Sequence, residues 1–183
     1  MIISNNPDEA YGLIANESAG KITRCSTAGT ITNTAAARIA GIVGYSYLGF
    51  TYGTTQEYGK LSDCFSNVTF NNQAVVSVTA PTVRCGICYR SGEVIDHCYF
   101  YGTFTGNAVD PSYTAPISKK ATSGSGLESS FESTNCAYDT NVIGVTYGFP
   151  APGGVNYTTA QMKKQASYTA IQLSVLILIN VGA

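Results

Sequence analysis

Hydrophobic and polar positions alternate along this chain in short bursts instead of recurring every three to four residues. In the stretches 25–31 (CSTAGTI), 64–70 (CFSNVTF) and 98–104 (CYFYGTF) the cysteine, the fourth residue after it (Gly29, Val68, Gly102) and the sixth (Ile31, Phe70, Phe104) fall on one side of a two-residue period. Period two is the mark of a strand, and the apolar side is expected to be the interior. Phe65, Asn67, Thr69, Tyr99, Tyr101 and Thr103 then face outward, giving an aromatic, hydroxyl-rich side. A shorter strand entered through a glycine turn precedes each burst: 20–25 (GKITRC), 59–64 (GKLSDC), 92–98 (GEVIDHC) and a weak fourth ending at 134–136 (TNC). Further upstream sits a glycine-rich hydrophobic knot: 11–14 (YGLI), 40–45 (AGIVGY), 85–89 (CGICY) and a decayed copy at 115–118 (APIS).

The four cysteines that close the short strands lie 39, 34 and 38 residues apart. A nearly constant period, with the variation absorbed in Gly, Ser, Thr and Tyr segments, indicates stacked repeats with loop insertions. The expected architecture is all-β: a parallel β-helix or solenoid of three to four irregular coils, strands of successive repeats stacking at about 4.8 Å. Residues 1–154 form the repeat domain. Residues 155–183 form a capping or assembly segment, with a short helix near 159–167 and a final apolar strand.

The knot followed by G-x-I-x-x-C resembles the GLUG-motif repeat family, best at 40–45 and 20–31, and 158–165 (TTAQMKKQ) resembles the T-T-A-Q-M-K segment that often closes such arrays. The resemblance covers residues 10–168 and implies a parallel β-helix-like architecture, usually on large surface or secreted proteins. The chain departs from that pattern after residue 170, where 171–183 replaces the family's usual aromatic segment.

Composition restricts the partners. With 10 basic against 11 acidic residues the net charge is -1, and only 11% of residues are charged. Neither nucleic acid nor an anionic membrane has an electrostatic footprint to meet. The 44% apolar content excludes intrinsic disorder. The first residues lack a basic segment followed by an apolar core, so a secretory signal is not expected there, and the apolar stretch at 171–181 is too short to insert as a helix in a bilayer.

Alignment on the cysteines places Arg24, Asp63, His97 and Asn135 in one column, with Asp96 and Glu93 beside it. Carboxylates on neighbouring strands are one way to build a glycan-cleaving site, which makes Asp63, Asp96, His97 and Glu93 the catalytic candidates. The competing reading is an outward ladder that pairs Arg24 with Asp63 and Asp63 with His97. Cys85, Cys88, His97 and Cys98 supply soft ligands, yet consecutive or odd-spaced strand residues project to opposite faces, so neither metal nor cofactor is expected. The repeat cysteines are read instead as small, reduced, buried core residues.

Tyr45, Tyr47, Tyr52 and Tyr58, together with Tyr99 and Tyr101, are candidates for a surface that binds glycan or protein. The segment 171–181 begins in alternation and turns continuously apolar, so Ile171, Leu173, Val175, Leu176, Ile177, Leu178 and Ile179 are expected to contact another subunit, a second copy included. Together these features point to a non-catalytic structural or recognition module of a virus particle or other extracellular assembly, with a cell-surface adhesion fragment or a glycan-cleaving enzyme as rivals.

Overall fold

The computed structural model describes residues 2–3, 9–46, 50–52, 55–57, 60–74, 82–91, 95–107, 114–119, 133–141 and 154–162. Their regular structure is almost entirely strand, mostly in parallel sheets. Strand β1 (Ile2–Ile3) is followed by β2 (Ala10–Gly12), β3 (Ala15–Ser18), β4 (Lys21–Thr23) and β5 (Ser26–Asn33). The same succession returns as β6 (Arg38–Ala40), β7 (Val43–Ser46), a hairpin of β8 (Phe50–Tyr52) and β9 (Thr55–Glu57), β10 (Lys60–Ser62) and β11 (Phe65–Asn72). A third segment gives β12 (Val83–Cys85), β13 (Cys88–Ser91), β14 (Ile95–Asp96), β15 (Tyr99–Phe100) and β16 (Thr103–Gly106). A fourth gives β17 (Thr114–Ala115), β18 (Ser133–Thr134) and β19 (Cys136–Asp139), before β20 (Gly154–Tyr157) and the helix α1 (Thr159–Met162).

Equivalent strands of successive segments pair within the same sheet. Sheet A runs β1-β5-β11-β15-β19-β20 with β16 also on β11, sheet B β2-β6-β12-β17, sheet C β3-β7-β13 and sheet D β4-β10-β14-β18. Every pairing in these four sheets is parallel, and Ser118 continues sheet C through a bridge to Cys88. The register repeats the cysteine spacing: Ile22 lies beside Leu61 and Leu61 beside Ile95, while Phe70 lies between Ile31 and Phe104. Sheet A continues into β20 through Ala137↔Val155, so pairing crosses the expected boundary at residue 154. Helix α1 falls where a helix was expected, whereas residues 163–167 and the apolar segment 171–181 lie outside the described residues.

The core lies between the sheets. Ile39, Ile42, Ile87, Leu61, Ile95, Val68 and Phe70 are at most 1% exposed. Phe104 stacks on Phe70 at 5.2 Å between ring centroids and meets Phe100 at 5.0 Å. Knot glycines make the corner between sheets B and C possible. A Cβ on Gly41 would overlap the Gly86 carbonyl oxygen and the Ser66 hydroxyl, and one on Gly86 would overlap the Pro116 carbonyl oxygen and the Phe100 ring. Arg84 is also enclosed, at 1% exposure. Its Nη1 donates to the carbonyls of Thr105 (2.9 Å) and Phe70 (3.2 Å), and the guanidinium lies 5.2 Å from the Phe104 ring centroid. Burial lowers its pKa to about 10, still far above neutrality.

Two expectations about inward and outward positions are corrected. Cys25 is half-buried and Gly29 exposed, because the first segment lies at the edge of sheet D and near that of sheet A, with no full strand over its outer side. Tyr99 was expected to face solvent but is 1% exposed. Alternation assigns a residue to a face of the sheet, not to solvent. Here the outer face is covered as well: neighbouring Ala137 is fully buried and Asp139 is 1% exposed.

Junctions between sheets C and D vary in length while the strands on either side keep register. Three residues separate Ser18 from Ile22 and Ser91 from Ile95, whereas fourteen, including the β8–β9 hairpin, separate Ser46 from Leu61.

Candidate functional site

The column before the cysteines is the corner where each segment leaves sheet D for sheet A. Arg24, Asp63, His97 and Asn135 all adopt left-handed backbone, with φ of 56°, 55°, 49° and 51°. This overturns the expectation of an unbroken strand through each cysteine. Asn, Asp and His are the non-glycine residues that enter this region most readily, which accounts for three of the four identities by backbone sterics alone. The backbone N–H groups at the corner continue the ladder, Arg24 to the Ser62 carbonyl, Asp63 to Asp96 and His97 to Thr134, each at 3.1 Å.

His97 does not take Asp63 as its carboxylate. Its Nδ1 lies 2.8 Å from Asp96 Oδ2, and Lys60 Nζ approaches the same oxygen at 3.9 Å. Asp96 Oδ1 accepts from Thr134 Oγ1 at 2.7 Å and from Asn135 Nδ2 at 3.1 Å. Partial burial raises the Asp96 pKa, but the hydrogen bonds from Thr134, Asn135 and His97 outweigh it and leave the carboxyl below its ordinary value. Both of its oxygens thus accept hydrogen bonds, from His97 and from two residues of the next segment, while Lys60 of the preceding segment adds a longer ion pair, an arrangement that fastens neighbouring strands. Glu93 lies outside the described residues, and the described residues contain no group of three or more His, Cys, Asp or Glu suited to a metal.

All six cysteines are free, and all but Cys25 are buried. The thiols of Cys64, Cys98 and Cys136 reach back to the carbonyls of Ile22, Leu61 and Ile95 at 3.5 to 3.7 Å, a column of weak donors following the stack. Burial pushes Cys85 up to about 12 and Cys88 and Cys98 well above the ordinary thiol value. Cys85 and Cys88 join separate apolar clusters.

Of the candidate tyrosines, Tyr45 is half-buried and meets Tyr89 edge-on at 5.5 Å, with Arg38 Nη1 donating to its hydroxyl at 3.3 Å. Arg38 and Arg90 lie 5.6 and 5.9 Å from the Tyr89 ring centroid. Sequence reasoning missed this aromatic and cationic cluster; the sheet C register, Arg90 beside Tyr45, is the signal that assembles it. Tyr101 is half-buried at the level of Asn67, its N–H bonded to the Ser66 carbonyl. Tyr52 lies in the hairpin, and Tyr47 and Tyr58 lie outside the described residues.

Among the described residues no helix is long and apolar enough to cross a membrane. Comparison of the chain with protein-family models, with curated proteins and with solved structures finds no match.

Proposed function

We propose that the chain is a β-solenoid of GLUG-repeat type that serves as a non-catalytic structural and recognition module of a virus particle or other extracellular assembly. The observation that carries the reading is the repeated register, in which four segments contribute strands to the same parallel sheets through equivalent corners. Chemistry at the corner supports it too. A carboxylate whose two oxygens already accept from His97 and from Thr134 and Asn135 of the next segment is suited to fastening strands, and a glycosidase needs two carboxyl groups placed about a sugar bond. In this reading residues 171–181 supply the contact with other subunits, and the solenoid presents its uncharged side outward.

Gold-labelled antibody against the folded protein, applied to intact source cells and to particles they release, tests the proposal. Label on the outer surface is expected. Label confined to the interior would overturn the location, and product released from a glycan panel, abolished by Asp96→Asn, would overturn the non-catalytic assignment.

A further inference from the structure

Away from Tyr99, Ala137 and Asp139, where it is covered, the outer face of sheet A carries a regular array of neutral hydrogen-bonding groups along β5, β11 and β16. Thr69 sits between Thr30 and Thr103, Asn71 lies between Thr32 and Thr105, and Asn67 lies beside Ala28. Neighbours across the strands are separated by about 4.8 Å, and alternate residues along each strand by roughly 6.8 Å. The strands that build this face, 26–33, 65–72 and 99–106, contain no Asp, Glu, Lys, Arg or His.

The array is accessible and largely uncommitted. Thr30, Asn67 and Thr105 are exposed, and Thr32, Thr69, Asn71 and Thr103 are half-buried. Thr103 Oγ1 donates to Thr69 Oγ1 at 3.2 Å, which fixes two neighbouring hydroxyls relative to one another. Thr30, Thr32, Asn67 and Asn71 make no side-chain hydrogen bond among the described residues, so their hydroxyls and amides are available to a ligand. Phe65, at the start of β11, and Tyr101, between β15 and β16, are half-buried, so each keeps part of its surface in solvent.

We infer that this face binds a neutral polysaccharide laid across the strands. Resting on the recognition role proposed above, the assignment names the ligand class. A sugar polymer offers closely spaced hydroxyls that both donate and accept, matching threonine and asparagine, and apolar ring faces that pack on Phe65 and Tyr101. An acidic polymer would find no cation on the face. An ordered ice surface, also a lattice of neutral hydrogen-bonding groups, fits less well: two aromatic side chains and an asparagine between Thr32 and Thr105 break the uniformity it would need.

The test is retention of the folded protein on insoluble β-glucan, xylan and chitin. Three proteins are compared: the full chain, the Asn67→Ala/Asn71→Ala/Tyr101→Ala variant and a Glu17→Gln control, with melting temperatures checking the fold. Expected is retention of the full chain and the control on at least one polymer, with a loss of tenfold or more in the partition coefficient for the triple variant. If the triple variant melts early, Thr30→Lys, at an exposed position, replaces it and the same loss is expected. Absence of retention on every polymer overturns the inference, as does retention that neither variant changes. Ice shaping without polysaccharide retention reassigns the face. Surface label on particles combined with no retention leaves the structural role standing and removes only the ligand.

Discussion

Arg24 tests the left-handed corner most cleanly, because its side chain is exposed and its φ of 56° is the largest of the four. Placing an ordinary side chain in this region costs roughly 1 to 2 kcal/mol, which Arg24→Gly removes. Glycine's extra freedom in the unfolded chain returns about 0.5 to 1 kcal/mol, so the net gain is about 0.5 to 1 kcal/mol. Arg24→Val, with a branched Cβ against the following carbonyl, should lose about 1 kcal/mol. The pair therefore spans about 2 kcal/mol, and at 2 to 4 °C per kcal/mol for a chain of this length the melting temperatures should differ by about 4 to 8 °C. Thr23, one residue earlier on an exposed stretch of β4, is extended and should show the opposite order, valine above glycine. Calorimetry on the four variants reads both orders. Valine equal to or above glycine at position 24 would refute the left-handed corner and the steric account of the column.

Phe104→Ala should cost about 3 to 5 kcal/mol and lower the melting temperature by about 10 °C, because it empties a fully buried site between Phe70 and Phe100 and uncovers the Arg84 guanidinium; a shift within 2 °C in calorimetry would mean the packing is wrong. The depressed Asp96 pKa adds stability that is complete above the ordinary carboxylate value and is lost as pH falls through the still lower folded value, so a pH series of chemical denaturations should show the wild type losing its advantage over Asp96→Asn below about pH 4. That advantage at pH 7 should be about 1 kcal/mol, since the site is open on one side. Thiol labelling of the native protein should modify Cys25 first and the five buried cysteines only on the timescale of unfolding, and uniform fast labelling would contradict the stacked column.

The strands were legible because their signals are local. Period two around Cys64 and Cys98 assigned Val68, Phe70 and Phe104 to the core, and even the decayed knot at 115–118 marks a real corner, with Ile117 fully buried. Backbone sign is not carried by hydrophobic pattern. The Arg24, Asp63, His97 and Asn135 column therefore looked like a charge ladder, although three of its residues share a tolerance for left-handed φ that a closer look at turn propensities would have flagged. Asp96 was named for its neighbourhood to Asp63, whereas its partners include Thr134 and Asn135 from the weakest repeat, where the spacing signal is faintest. Tyr99 shows the remaining gap, since a period assigns faces but does not say what covers them.

The junction between sheets C and D separates variation from stability. Because Ser46 and Leu61 keep register with neighbours whose junctions are eleven residues shorter, the length inserted there is absorbed without shifting a strand on either side. Closing a longer loop costs little, about 0.6 kcal/mol per doubling. Such a site can exchange whole sequences while the core stays constant, and the matching short junction between Ser91 and Ile95 is where a foreign peptide could be displayed at a fixed point on the scaffold.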